Sequence, residues 1–157
     1  MRTDRITWFL DSAHRCAIQG TCLRRRFGAV IVDDNNTIIS TGYNGAPVGQ
    51  KDCLEHGFCW REENNIKSGT AYEKCKSVHA EQNAIIQAGK KARKCTLYLT
   101  GIDVKSGKCV HVLPCFLCSK MILNAGISKV IIKTEDDVYK TWDPQKIYDM
   151  RHKEAFS

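Results

Sequence analysis

The sequence predicts an α/β sandwich whose sheet is at least partly parallel. Short apolar segments typical of strands alternate with segments of helical periodicity, which is the pattern of this class. The chain has 157 residues, 43% of them hydrophobic, which is enough for one domain with a substantial core. No repeat, linker or low-complexity segment divides it, so we expect a single domain over residues 1–157.

The first half of the chain combines a helix, a hairpin and an irregular region. The first twenty residues predict an amphipathic helix because their apolar side chains recur at helical spacing, at Ile6, Phe9, Leu10, Ala13 and Ala17. A β-hairpin follows, with strands at Phe27–Val32 and Thr37–Gly42 around a polar turn at Asp33–Asn36. Three glycines and a proline mark a loop at Gly42–Gly49. Residues 50–76 are charged, contain cysteine and have no apolar period, which indicates an irregular insertion.

The second half alternates helices with strands. In order, we expect a helix at Ala80–Lys91, a strand at Thr96–Gly101, a helix that begins at Pro114 or Cys115 and ends at Gly126, a strand at Lys129–Lys133 and a last helix. The turn "KSGK" lets Cys109–Leu113 pair back as a hairpin. Asp143 as N-cap and Pro144 at the first helical position begin the last helix. No further strand is expected after Lys133.

Composition limits where the protein works and what it binds. No apolar run approaches the roughly 18 residues that span a bilayer, and charged residues interrupt the N-terminus where a secretory signal needs an apolar core. We therefore expect a cytoplasmic protein without a membrane partner. The net charge of +7 permits an anionic partner, although scattered basic residues are also what a soluble surface carries. Nine cysteines in a cytoplasmic protein indicate metal binding before disulfides.

Two motifs together predict a catalytic zinc site. "HAE" places His79 at the start of one helix, and "PCFLC" places Cys115 and Cys118 on the first turn of another. The strand at Lys129–Lys133 can bring the two helices side by side. One imidazole and two thiolates suit Zn²⁺ and leave its fourth position open, as catalytic zinc sites do. Two helix N-termini aimed at the site favour thiolates.

Glu81 completes this pattern. Zinc lowers the pKa of a bound water to about 7, and a nearby carboxylate can take its proton and return it to a leaving group. H-x-E…P-C-x-x-C is a known signature of zinc-dependent nucleobase deaminases, and the chain carries it from His79 to Glu81 and from Pro114 to Cys118. Either half alone is weak, because C-x-x-C also occurs in redox proteins and H-x-E on surfaces.

Four longer blocks resemble the cytidine and deoxycytidylate deaminase family. They are "TCLRRRFGAVIVDD", "STGYNGAPVG", "HAEQNAII" and "PCFLCSKMILNAGISKVII". The resemblance covers about Thr21 to Lys133 and is strongest to the deoxycytidylate (dCMP) deaminases of bacteria and phages, including those encoded with late-competence genes. It implies a three-layer α/β/α sandwich with a mixed central sheet and the hydrolysis of dCMP to dUMP and ammonia.

The resemblance also implies roles for individual residues and partners. His79, Cys115 and Cys118 would hold zinc, and Glu81 would carry protons to N3 of cytosine and to the departing ammonia. Asn44 would hydrogen-bond the sugar. The backbone at Ala80, Pro114 and Cys115 would contact the base and the attacking oxygen. A hexamer or other homo-oligomer and regulation by dCTP and dTTP are further properties that the resemblance brings.

The run Arg24–Arg26 bears on the phosphate of a nucleotide substrate. It precedes the first strand, where alternate side chains can face the site, and a bidentate arginine suits a 5′-phosphate. We assign the phosphate to Arg26, at the edge of the strand. A solvated basic turn is the alternative.

A second set of cysteines lies around the insertion, at Cys22, Cys53, Cys59 and Cys75. Residues 50–76 have little apolar content, so a closed four-cysteine zinc site would stabilise them. Some dCMP deaminases carry a structural zinc, and Cys22 and Cys53 occur where two of its ligands would fall. Two alternatives stay open: unrelated thiols, or His56 in place of one cysteine.

The chain departs from the family pattern in two places. Gly101–Val112 is interposed before the cysteine helix, next to the predicted site. After Lys133 only one helix is expected, so aromatic groups that the family supplies late in its chains would come from elsewhere, with Tyr139 and Trp142 as the candidates.

Two rival functions remain from the sequence. One is a deaminase acting on another free nucleoside or nucleotide or on a base within RNA or DNA. We expect no nucleic acid partner, because only 8% of residues are aromatic and polynucleotide readers combine basic with aromatic surface. The other is a nonenzymatic zinc protein associated with DNA uptake, against which Glu81 argues, because a structural zinc needs no proton carrier.

Overall fold

The computed structural model describes every residue from 1 to 157. Its helices are α1 (Arg5–Ile18), α2 (Cys53–His56), α3 (Trp60–Glu63), α4 (Ala80–Ala88), α5 (Phe116–Asn124) and α6 (Pro144–Ala155). Its strands are β1 (Arg25–Val32), β2 (Ile38–Tyr43), β3 (Thr96–Asp103), β4 (Lys129–Glu135) and β5 (Val138–Trp142). None of the helices combines the length and the apolar character that a membrane span requires.

The five strands form one mixed sheet in the order β2-β1-β3-β4-β5. β3 and β4 run parallel and are joined through α5, whereas the other three neighbouring pairs are antiparallel. The predicted α/β sandwich with a partly parallel sheet is therefore confirmed. The carboxyl end of β3 lies beside the amino end of β1, since Asp103 pairs with Arg25.

Helices cover both faces of this sheet, which makes the three layers. Successive strand residues point to opposite faces, so each strand supplies apolar side chains to two cores. Phe9, Leu10 and Ala13 of α1 pack on one face against Val30, Val32, Tyr98 and Ile131. The larger core on the other face joins α4, α5 and α6 to the sheet through Ala84, Ile122, Ile147, Ile31, Leu99 and Ile132.

The chain after Lys133 differs from the expectation. A fifth strand, β5, pairs antiparallel with β4 before α6 begins, so the expected absence of another strand is wrong. The sequence signal was weak because four of the five β5 side chains are exposed and only Trp142 is half-buried. The expected hairpin at Cys109–Leu113 is reduced to one isolated bridge between Ile102 and Cys109.

Residues 50–76 contain two single-turn helices, α2 and α3, and a 3₁₀ turn at Tyr72–Lys74. Their organiser is Arg61, whose side chain is buried although it is charged. Its guanidinium donates hydrogen bonds to the carbonyls of Lys67, Thr70 and Ala71 at 3.1, 2.5 and 2.7 Å. It also lies over the Tyr72 ring, 4.9 Å from the centroid. One arginine thus supplies the polar centre that this poorly apolar segment otherwise lacks.

Candidate metal and catalytic site

The first half of the site is the N-terminus of α4. His79 is the N-cap residue, and its backbone N–H donates to Oε1 of Gln82 at 2.8 Å. The first turn packs closely on β2 at Gly42, where a Cβ would lie 2.3 Å from the carbonyl oxygen of Ala80. A side chain at Gly42 would push the helix off the sheet, so this glycine sets the depth at which His79 and Glu81 sit.

The second half is the N-terminus of α5. Cys115 is its N-cap, and the Cys115 sulfur accepts a hydrogen bond from the backbone N–H of Cys118 at 3.5 Å. Both cysteines are buried. The helix N-terminus carries a partial positive charge, which stabilises negative charge on these two sulfurs.

The two helix ends converge on one point. Nδ1 of His79 lies 3.5 Å from Sγ of Cys115 and 3.4 Å from Sγ of Cys118. A tetrahedral zinc with bonds of about 2.3 Å to sulfur and about 2.05 Å to nitrogen requires roughly 3.6 Å between those atoms. The three predicted ligands are therefore spaced as a zinc site requires, and they are the one set of such side chains whose donor atoms all lie within 4.8 Å of one another.

The protonation of this cluster also suits a metal. A hydrogen bond from the Cys118 thiol lowers the pKa of Cys115 well below its usual range, while the same bond and burial raise the pKa of Cys118. Burial opposes charge on His79, but hydrogen bonds with Cys115 and Cys75 outweigh it and raise the pKa of His79 to about 10. A metal ion bound here would displace the protons that the imidazole and the Cys118 thiol carry in its absence.

Glu81 is the acidic group beside this cluster. Only 5% of it is exposed, and burial raises the pKa of its carboxyl, with the charge of His79 acting in the opposite direction. No salt bridge holds the carboxylate in one state. A carboxyl group that is buried and free to exchange a proton next to a metal set is what a general acid and base requires.

A cavity that is partly open to solvent lies in front of these residues. Among the predicted residues of the catalytic site and the substrate contacts, five line it, namely His79, Glu81, Asn44, Ala80 and Cys115. Asn44 is anchored to the sheet: its Oδ1 accepts the Phe27 N–H at 2.8 Å, and its Nδ2 donates to the Arg25 carbonyl at 3.0 Å. The second N–H of this amide remains available to a ligand.

Two predicted substrate residues lie elsewhere. Arg26 is not on the cavity wall: it shares a strand face with Gly28, which packs directly on α1, and its Nε donates to the Cys22 carbonyl at 3.3 Å. This position gives the assignment of phosphate to Arg26 no support, because its side chain lies on the face of the strand opposite to the cavity. Pro114 is fully buried behind the wall, so only its chain neighbours reach the cavity.

The second cysteine set also borders this cavity, since Cys22, Cys53, Cys59 and Cys75 all line it. No three of these sulfurs lie within 4.8 Å of one another. Burial, and then the neighbouring Cys22, Cys59 and Cys75, raise the pKa of Cys53 to about 11. The four are thus neighbours, spaced more widely than the His79 cluster.

Sequence reasoning missed the groups that close the cavity. Phe27, Trp60 and Tyr72 are its aromatic residues, whereas Tyr139 and Trp142, the expected candidates, do not line it. The Tyr72 ring meets His79 edge-on with centroids 5.5 Å apart. Trp60 and Tyr72 belong to the insertion, where no periodic pattern predicts the fold. Phe27 and Arg25 could have been found from the alternation of β1.

Fold and site together define a class: α/β zinc proteins with three protein ligands and an adjacent buried carboxylate. The chain belongs to the cytidine and deoxycytidylate deaminase family, because the model of that family's zinc-binding region matches residues 3–134.

Curated relatives point within this family to dCMP deaminases. The deoxycytidylate deaminase of Schizosaccharomyces pombe is 33% identical over 82% of the chain, which spans 36% of that protein. ComE operon protein 2 of Bacillus subtilis is 33% identical over 88% of the chain, spanning 64% of it. The deoxycytidylate deaminase of Mycobacterium phage D29 is 32% identical over 85% of the chain, spanning 98% of it. The chain thus covers about a third of the yeast protein but nearly all of the phage one.

Solved structures show the same fold. The dCMP deaminase of the cyanophage S-TIM5, crystallised in complex with dCMP and dUMP, has a TM-score of 0.61 at 23% identity, with 96% of this chain and 94% of that chain covered. This similarity confirms the three-layer arrangement with a mixed central sheet.

Proposed function

We propose that the protein hydrolyses the amino group of dCMP, giving dUMP and ammonia, with zinc held by His79, Cys115 and Cys118. The observation that carries this proposal is Glu81: a buried carboxyl next to a three-donor metal set, facing a cavity. Three ligands leave a zinc ion one open position, and Glu81 gives that position a proton carrier. The relatives named deoxycytidylate deaminase support the choice of dCMP.

The chemistry divides between the metal and Glu81. Zinc at this site lowers the pKa of a water molecule to about 7. As the water oxygen adds to C4 of cytosine, Glu81 takes a proton from it and delivers the proton to N3. Glu81 then carries the second proton to the amino group, which leaves as ammonia, and C4 becomes the carbonyl of dUMP. Burial raises the pKa of Glu81, which suits a group that must both accept and release a proton during the reaction.

The walls of the cavity orient the nucleotide in this proposal. The backbone at Ala80 and Cys115 borders the metal set and faces the base, as does the ring of Tyr72. The free N–H of Asn44 is directed to the sugar. Because its other two polar contacts fix it to β1, Asn44 offers this donor without losing side-chain freedom on binding.

Basic residues on the same wall support a phosphorylated substrate. Arg24, Arg25 and Lys76 all line the cavity. Arg24 is paired with Glu62 at 3.1 Å, whereas Arg25 and Lys76 have no acidic partner within 4.0 Å. We therefore assign the 5′-phosphate to Arg25, with Lys76 as a second cation.

The setting of the reaction follows from the same proposal. The cytoplasm keeps thiols reduced, which suits a chain whose nine cysteines are all free. Regulation by dCTP and dTTP and a homo-oligomer, such as a hexamer, are implied by the family resemblance and stay predictions. Sedimentation with and without each nucleotide tests both.

The test is ammonia release from dCMP, dCTP, deoxycytidine and cytidine measured side by side on zinc-loaded protein. We expect dCMP to have the highest kcat/KM. No release from any of them would overturn the proposal. Release only from a cytosine within RNA or DNA, with strong salt dependence, would replace it by the polynucleotide alternative.

A further inference from the structure

A partly buried contact from the last helix reaches the segment that presents Cys115. Arg151 of α6 donates from Nε to the Pro114 carbonyl at 2.8 Å and from Nη2 to the Leu113 carbonyl at 2.7 Å. Its remaining nitrogen, Nη1, pairs with the exposed carboxylate of Glu154 at 2.9 Å. The guanidinium thus donates to the carbonyls of two consecutive peptide units. Its planar fork fixes the directions of both hydrogen bonds, which the single ammonium of lysine cannot do.

This segment has few backbone hydrogen bonds of its own. The backbone N–H of Val110 donates to the Gly101 carbonyl, and the next backbone hydrogen bond involves the Cys115 carbonyl, which accepts from Ser119. Residues 111–114 between them have no backbone partner in a strand or helix. Leu113 packs against the larger core and Pro114 is fully buried, so the stretch has apolar contacts, and the two bonds from Arg151 supply hydrogen bonds to its carbonyls.

The stretch matters because of what it positions. Pro114 directly precedes Cys115, the N-cap of α5 and a member of the metal set, and Leu113 lines the cavity. A shift of these peptide units would move the Cys115 sulfur and one wall of the cavity together. Groups that orient a metal ligand commonly change metal affinity 10–100-fold when they are removed.

The helix that carries Arg151, α6, is packed firmly against the rest of the protein. Ile147 of α6 is buried in the larger core, and the rings of Tyr148 and His152 pack on Phe116 of α5 with centroids 5.7 and 6.0 Å apart. The matched region of the family ends at residue 134, so α6 and its arginine lie outside it.

We propose that Arg151 is a positioning residue for the site: it holds Leu113 and Pro114 so that Cys115 meets His79 and Cys118 at metal-binding distance. The proposal for zinc retention stands on the donor cluster, and only its consequence for turnover rests on the proposed dCMP deamination. A segment beyond the family's zinc-binding region thereby sets the geometry of that region.

The test is the rate at which zinc-loaded protein loses its metal to a chelator. We expect Arg151→Ala to lose zinc at least ten-fold faster than the unmodified protein, and Arg151→Lys to fall between, because one ammonium can serve one of the two carbonyls. Glu154→Gln, which removes only the exposed ion pair, should stay within about two-fold. On dCMP, Arg151→Ala should lower kcat more than it raises KM.

A second variant separates positioning from general stability. Ile147→Val loosens the packing of α6 without touching the fork, so it should lower the melting temperature and leave zinc release unchanged. If zinc release followed the melting temperature across Ile147→Val and both Arg151 variants, or if folded Arg151→Lys kept the unmodified release rate, the proposal would be wrong. Both outcomes are readable even if dCMP is not the substrate.

Discussion

At the scale of single residues, the proposed chemistry depends on a carboxyl group that the fold takes out of water. An acidic residue near the start of a helix is usually exposed and ionised. Glu81 is instead buried beside thiols and an imidazole. No basic side chain forms a salt bridge with Glu81 that would compensate this burial. An unpaired acid in the interior is tolerated where its proton exchange is needed.

Removing the proton carrier should therefore remove turnover but not the metal. We expect Glu81→Gln, which keeps the shape of the side chain, to lower kcat for dCMP by about 10²–10⁴-fold. Zinc content by atomic absorption should not change, because Glu81 is not in the ligand set. Glu73→Gln, at an exposed acid that does not line the cavity, is the control. Normal dCMP turnover by Glu81→Gln would refute the proposed mechanism.

Asn44 has a structural role in addition to its predicted contact with the sugar. It pairs the Phe27 N–H and the Arg25 carbonyl where β1 begins. Asn44→Ala leaves both unpaired, so we expect it to lower the free energy of unfolding by about 1–3 kcal/mol, measured by urea denaturation. Asn44→Asp retains the acceptor for Phe27 and should lose less. A variant with unchanged stability and a raised KM would instead show that only the ligand contact counts.

At the scale of elements, the two-residue period of β1 decides which arginine meets the substrate. Arg25 lines the cavity, and its neighbour Arg26 points to the α1 face. We expect Arg25→Ala to raise the KM for dCMP about 10–100-fold, the loss of one charge-assisted hydrogen bond, and to leave deoxycytidine turnover unchanged. Arg26→Ala is the matched control and should leave both KM values near normal. Equal effects of the two variants would show that general positive charge, not one contact, attracts the nucleotide.

In the structure, the side chain of Arg61 makes the hydrogen bonds that join distant parts of the insertion at residues 50–76. Arg61→Met would leave the Thr70 carbonyl without a donor and remove one hydrogen bond each from the carbonyls of Lys67 and Ala71, so we expect this loop to open. Trypsin should then cleave after Lys67 at least ten-fold faster, as followed by mass spectrometry. Glu62→Gln, which breaks only the exposed pair with Arg24, serves as the control. Unchanged cleavage in Arg61→Met would mean that the loop is stabilised by other contacts.

How much of this was predictable differs from element to element. The helix starts at His79 and Cys115 carry local signals, so the sequence predicts the donor cluster together with α4 and α5. β5 carries no such signal, because its side chains are mostly exposed and its existence depends on pairing with β4. The sequence did not show which of Arg25 and Arg26 faces the cavity, because β1 begins two residues before its apolar run at Phe27.

At the scale of the whole molecule, the sheet joins residues far apart along the chain. His79 and Cys115 are 36 residues apart, and the parallel pair β3 and β4, connected through α5, makes them neighbours. The insertion meets the same place from the other side, so the cavity is bordered by two groups of cysteines. The structural roles of Arg61 and Arg151 could not be predicted from the sequence. Their partners are backbone carbonyls, which every residue type has, so no residue pattern reveals them.

The number of metal ions per chain is the property that tests this larger picture. The four cysteines that border the insertion are neighbours, and Cys53 is buried where an unpaired thiolate would be costly. A closed zinc site would bring their sulfurs to about 3.8 Å, given zinc–sulfur bonds of about 2.3 Å in a tetrahedron. Metal binding would then supply stability that the few apolar side chains of residues 50–76 do not.

We therefore expect two zinc ions per chain by mass spectrometry under native conditions. Cys59→Ser should reduce the count to one and lower the melting temperature, while dCMP turnover per remaining zinc persists in the folded fraction. Cys16→Ser, at a cysteine of α1 on the opposite face of the sheet, should keep both ions. If the purified protein carries one zinc and Cys59→Ser leaves stability unchanged, these cysteines are ordinary thiols. Arg61 and its carbonyl partners would then be the main support of the insertion.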